Sequence, residues 1–137
     1  MNNFEFCNPV KVVFGKGSIA RLSALLPEGS KVLVVYGGGS IKKNGVMEQV
    51  HAALEGVTYF EFGGIEPNPH FETLMKAVDV IKQENINFIL AVGGGSVIDG
   101  SKFIAAAALY PNDPWEIIQT YGAKVTQAVP LGCVLTL

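Results

Sequence analysis

Gly93-Gly94-Gly95-Ser96 stands between an apolar run, Asn87–Val92, and a helical pattern that carries Asp99 and Lys102 and continues to Ala108. Consecutive glycines let a backbone approach a bulky anion, and the helix that follows offers unpaired N–H groups and the positive end of its dipole. That combination binds phosphate. Two known phosphate motifs come close to these residues and both fail. The pattern GxGxxG needs a glycine three residues after Gly95, where the chain has Ile98. Gly95 to Gly100 satisfies GxxxxG, but Ser101-Lys102 follows where a P-loop needs Lys and then Ser or Thr. Exchanging the two turns the lysine by about 100° around the helix and misplaces the hydroxyl meant for magnesium. Ser96 and Asp99 also resemble a capping box, which would start the helix without a ligand. Such a cap leaves three successive glycines unexplained, each costly in backbone entropy.

A second cluster, Gly37-Gly38-Gly39-Ser40, follows another apolar run, with Lys42 and Lys43 just beyond. Two glycine-rich strand ends in one sheet can hold two parts of a dinucleotide, the pyrophosphate at one and the adenosine ribose at the other. NAD sites place an acid against the ribose 2′-hydroxyl. The loop after Tyr36 has none; its small residues, serine hydroxyl and two lysines suit a 2′-phosphate, so NADP(H) is the expected cofactor. The same lysines would equally suit a solvated surface.

These loops need strands to present them. Lys31–Tyr36 is almost wholly aliphatic, as a strand buried on both faces must be. Lys11–Gly15, Val57–Phe62, Asn87–Val92 and the closing Ala128–Leu137 read as further strands. Helical spacing is predicted over Ser18–Leu26, Asn44–Leu54, Glu72–Glu84, from Ser96 or Val97 to Ala108, and over Trp115–Thr120. In the third of these Leu74, Val78 and Ile81 share a face opposite the charges. Alternating strands and helices imply an α/β fold, doubly wound around a mostly parallel sheet. The closing strand has no turn, helix or polar tail after it, which reads as a cut chain.

The 137 residues fit one domain. A net charge of −2 without a basic cluster argues against nucleic acid as partner. No apolar run reaches the roughly 18–20 residues a membrane span needs, and the N-terminus lacks a signal-peptide layout, so a cytoplasmic protein is expected. Cys7 and Cys133 read as small buried hydrophobes. His51 and His70 have no acids or cysteines at ligand spacing, so no metal site is expected within the chain.

Gly93–Lys102, GGGSVIDGSK, resembles the GGGSxxDxxK signature of the iron-containing (group III) alcohol dehydrogenases. FGKGSI, YGGGSIKK, FGGIEPNP, DPWEIIQT and GCVLTL are similar to its NADP-dependent aldehyde reductase and butanol dehydrogenase branch, in order along the whole chain. The resemblance implies the dinucleotide-binding domain of the dehydroquinate-synthase-like fold over residues 1–137, with the C-terminal helical, metal-binding domain missing. It implies that Gly37, Gly38 and Ser40 hold the adenosine side and 2′-phosphate, and that Asn68 touches the adenosine. Gly94, Gly95 and Ser96 would hold the pyrophosphate, with Asp99 near the nicotinamide ribose. Thr136 and Leu137 would line the adenine and ribose pocket, and Lys102 would support the loop. The divalent metal, iron or zinc, belongs to the complete protein; neither a metal ligand nor a catalytic residue is expected here. A small aldehyde or primary alcohol is the implied substrate, a homodimer using Lys11–Gly15 a possible assembly, and turnover by these residues alone is not expected. The competing readings are an NAD-dependent relative, such as a glycerol dehydrogenase or sugar-phosphate cyclase, and a non-catalytic nucleotide-binding module.

Overall fold

The computed structural model describes residues 2–137. Four strands form one parallel sheet: β1 (Lys31–Tyr36), β2 (Thr58–Phe62), β3 (Phe88–Gly93) and β4 (Leu131–Leu135), in the order β2-β1-β3-β4. A 3-10 turn, Ser18–Arg21, leads into α1 (Leu22–Leu25) ahead of β1. The short α2 (Ser40–Lys43) and α3 (Val46–Ala53) connect β1 to β2, and α4 (Phe71–Glu84) connects β2 to β3. After β3 come α5 (Gly95–Ala107) and α6 (Trp115–Gln119).

Side chains on a strand alternate between its faces, and β1 shows why both faces had to be apolar. Leu33 and Val35, with Ile89 and Ala91 of β3, pack against Leu74, Val78 and Ile81 of α4 and Val97 and Ile104 of α5. Val32 and Val34, with Leu90 and Val92, pack on the other side against Ile41, Met47, Val50 and Leu54. The four central β1 residues, Val32 to Val35, are completely buried. Helices therefore cover both faces, and the expected doubly wound α/β fold is present.

Two expectations are corrected. Lys11–Gly15 joins no ladder among the described residues, and Val12 and Phe14 lie exposed. β-branched and aromatic residues favour an extended segment, but a strand exists only where a partner accepts its hydrogen bonds. Cys7 and Cys133 are exposed. Cys133 sits on β4, the edge strand of the sheet, where its residue stays exposed; partial burial still pushes its thiol pKa upward.

Candidate functional site

The chain runs from β1 outward to β2, then returns past β1 to place β3 on its other side. Between β1 and β3 the winding reverses, which is where open α/β sheets bind ligands, just beyond the strands' carboxyl ends. Both glycine loops emerge at this point. The pairing sets Tyr36 opposite Val92 and Gly93 opposite Leu135, so Gly37, Gly94 and Thr136 leave the sheet side by side. The Thr136 N–H donates to the Gly93 carbonyl at 2.9 Å.

A cleft of about 240 Å³ opens there, lined by Gly37, Gly38, Ile65, Pro67 and the Gly94–Val97 turn. This is below the roughly 300–1,000 Å³ of sites that enclose a whole ligand. It has room for part of a larger ligand rather than for the whole of one. A larger groove, about 640 Å³, lies at the opposite end of the sheet, lined by residues 26–31 and 56–58. It follows the C-termini of α1 and α3, where the dipoles disfavour anions, and it has no glycine cradle.

The glycines around the cleft divide into two kinds. A Cβ on Gly93 would lie 2.7 Å from Cγ2 of the buried Val97, and one on Gly37 would lie 3.3 Å from the Ile65 carbonyl oxygen. Packing within the chain explains those two. Gly39 has φ 100° and starts α2 in the left-handed region, which explains a third. At Gly38 and Gly95 a Cβ would meet nothing within 4 Å, and at Gly94 only the Thr136 carbonyl oxygen at an ordinary 3.6 Å. None of these three has a left-handed φ. Neither conformation nor packing accounts for their missing side chains.

The helix ends behave in a matching way. In α5 the first helical bond runs from the Ile98 N–H to the Gly94 carbonyl, and Gly94, at the cap, makes no side-chain cap bond. The N–H groups of Gly95, Ser96 and Val97 therefore face the cleft without intrahelical partners. The alternative of a Ser96–Asp99 capping box, which needs Ser96 at the cap, is not realised because the helix already starts at Gly95. Ser96 thus lies inside the first turn, where its hydroxyl cannot cap, and Asp99 pairs instead with Lys102 Nζ at 3.4 Å on the exposed side. The neighbouring α4 differs. The Thr73 hydroxyl donates to Glu66 Oε1 at 2.6 Å. That bond foremost, helped by the nearby backbone of Glu66 and His70, holds the Glu66 pKa below the usual carboxylate range. The chain's own carboxylate thus sits at the start of α4, while the start of α5 is bare.

Of the residues expected to act together, Gly37, Gly38, Gly94, Gly95 and Ser96 line the cleft. Thr136 lies against Gly94, and Asn68 follows Pro67 in a left-handed conformation, φ 56°. Ser40, Asp99 and Leu137 are not in the lining. Ile65, Pro67 and Val97 were not singled out from the sequence; the Pro-Asn-Pro turn marked Pro67, whereas Ile65 and Val97 show only as core residues. Among the described residues no group of three or more His, Cys, Asp or Glu could hold a metal ion, and His51 is engaged by Glu61 at 2.5 Å. No helix among the described residues is long and apolar enough to cross a membrane.

A parallel sheet with helices on both faces and two glycine loops side by side at its switch point defines a doubly wound α/β protein. The family model for iron-containing alcohol dehydrogenase matches residues 9–137, and the chain belongs to that family. It is 57% identical over its whole length to the NADPH-dependent aldehyde reductase YqhD of Escherichia coli, covering 36% of that protein. It is 50% identical, again over its whole length and 36% of the relative, to a probable NADH-dependent butanol dehydrogenase of Bacillus subtilis. The substrate- and cofactor-free structure of the E. coli aldehyde reductase superposes with a TM-score of 0.97 at 56% identity, covering 99% of this chain and 36% of that one. The Thermotoga maritima NADH-dependent butanol dehydrogenase A gives 0.93 at 43% identity, covering all of this chain and 35% of that one. The chain spans about a third of the length of these relatives, at their N-terminal ends.

Proposed function

We propose that the chain binds NADP(H) across the β1/β3 switch point, as the cofactor-binding unit of a metal-dependent alcohol dehydrogenase or aldehyde reductase. The observation that carries this reading is the set Gly38, Gly94 and Gly95. Their side chains are missing where the fold leaves the space empty, next to a helix start with unpaired N–H groups. A diphosphate fits both facts at once: the bare backbone admits its bulk, and the α5 N–H groups and dipole bind its charge.

On this reading the N–H groups of Gly95, Ser96 and Val97, with the Ser96 hydroxyl, hold the pyrophosphate. Gly37 and Gly38 receive the adenosine ribose, with Ser40 and a lysine toward its 2′-phosphate, and Pro67 and Asn68 bound the adenosine side. Thr136 and Leu137 close the pocket beside Gly94. Asp99 exchanges Lys102 for the nicotinamide ribose, since their contact is exposed and weak. A reduced nicotinamide held there would supply hydride chemistry toward an aldehyde carbon, and the divalent metal that the family implies would act on the carbonyl as a Lewis acid; the described residues offer no ligand set for it. The residues here bind and orient; none moves a proton in the reaction, and the 137-residue chain is expected not to turn over.

Fluorescence titration of the chain with NADPH tests the reading. Saturable binding that is lost on Gly94→Val supports it. No binding of either NADPH or NADH by a chain with native circular dichroism refutes it.

A further inference from the structure

Lys42 and Lys43 are equivalent in the sequence and different in the structure. Lys42 Nζ lies over the Tyr36 ring, 4.9 Å from its centroid. Tyr36 is the last residue of β1, directly before Gly37, and its ring is seated over Gly63: a Cβ there would lie 2.5 Å from the ring. The absent side chain at Gly63 thus leaves room for the ring, and the ring seats the ammonium. Lys42 is also tied to the first loop, its backbone N–H donating to the Gly39 carbonyl at 3.1 Å. Contact with Tyr36 holds the Lys42 pKa above its ordinary value, so the cation stays charged at neutral pH. Lys43, the next residue on α2, points about 100° away. Among the described residues it makes no ion pair and no cation–ring contact.

The nearest acid is already committed. Glu61 on β2 adds to the field on Lys42, but its carboxylate bonds His51 Nε2 at 2.5 Å. An acid free to accept from a ribose 2′-hydroxyl would favour NAD; here the charge left facing the first loop is positive. Relatives named for NADPH and for NADH both match this chain, so membership of the family does not set the preference.

We propose that Lys42 is the residue that discriminates NADP(H) from NAD(H), by meeting the ribose 2′-phosphate from its place on the Tyr36 ring, with Tyr36 as its positioning residue and Lys43 not involved. This rests on the dinucleotide reading above. A cation on a half-buried aromatic ring is held in place without being neutralised, so it can pass to a dianionic phosphate at little cost.

The test is a set of NADPH and NADH titrations on the wild-type chain and on K42Q, K42R, K43Q and Y36L. The wild type is expected to bind NADPH more tightly. K42Q should weaken NADPH about 10–100-fold, the loss of one charge-assisted hydrogen bond, and leave NADH within about two-fold. K42R should restore most of the preference and Y36L lose part of it, while K43Q keeps it. Added salt should narrow the NADPH advantage in the wild type and have little effect on K42Q. An unchanged NADPH-to-NADH ratio in K42Q, its collapse in K43Q, or a wild type that prefers NADH overturns the assignment to Lys42. In those cases continued dinucleotide binding leaves the site itself standing. A natively folded wild type that binds neither cofactor refutes the site, and this inference with it.

Discussion

Gly95→Ala separates a structural glycine from a functional one. Gly95 is the first residue of α5, its φ lies outside the left-handed region, and a Cβ there would meet nothing within 4 Å. Alanine at such a position narrows the unfolded ensemble without native strain and should raise stability by about 0.4–1 kcal/mol. For a chain of this size that is a rise of roughly 1–4 °C in melting temperature. The same methyl group would project where the phosphate is placed, so NADPH affinity should fall at least ten-fold, about 1.4 kcal/mol. Gly93→Ala is the control of opposite sign. Its Cβ would meet Val97 Cγ2 at 2.7 Å and Cβ at 3.0 Å inside a packed core, and such overpacking costs about 1–3 kcal/mol. Thermal unfolding followed by circular dichroism, with and without NADPH, reads both effects. A Gly95→Ala chain that is markedly destabilised, or one that is stabilised and binds NADPH as the wild type does, would refute the claim that the space is kept for a ligand.

Leu33 is fully buried at the centre of β1, so Leu33→Ala should cost about 2–5 kcal/mol in urea unfolding with little change in slope. Stability should also fall toward both ends of the pH scale. The Glu66 carboxyl is held low by Thr73, and that of Glu116 by Lys124 and by the Tyr110 hydroxyl, which donates to it at 2.6 Å. Both contributions are complete above the unfolded value of about 4.3 and are lost as pH falls through the depressed folded values, because the unfolded chain then binds more protons. Tyr110 and Lys42 are shifted upward, so their contributions hold below the unfolded values of about 10 and are lost as pH rises through the folded ones. Urea titrations across pH should show the acid limb flatten in E66Q and E116Q; an unchanged limb in both would count against these contacts.

The sequence by itself determined the local elements and the kind of chemistry. An aliphatic run such as Lys31–Tyr36 is readable as a strand buried on both faces, because period and composition are local properties. The stripe Leu74, Val78, Ile81 is readable as one helix face for the same reason, and the glycine loops suggest the phosphate-binding role proposed above. What the chain could not show is anything that depends on a partner distant in sequence. Lys11–Gly15 has the apolar, β-branched composition of a strand and finds no ladder, and Cys133 has the composition of a core residue on an edge strand that leaves it exposed. Only the order β2-β1-β3-β4 puts the Gly37 and Gly94 loops side by side. Only the packed structure shows that Val97 accounts for Gly93 while nothing accounts for Gly95, and that one of two adjacent lysines rests on Tyr36. The physical reason is common to all of these: propensity acts over a few residues, whereas strand pairing, burial and empty space are set by groups that meet only after folding.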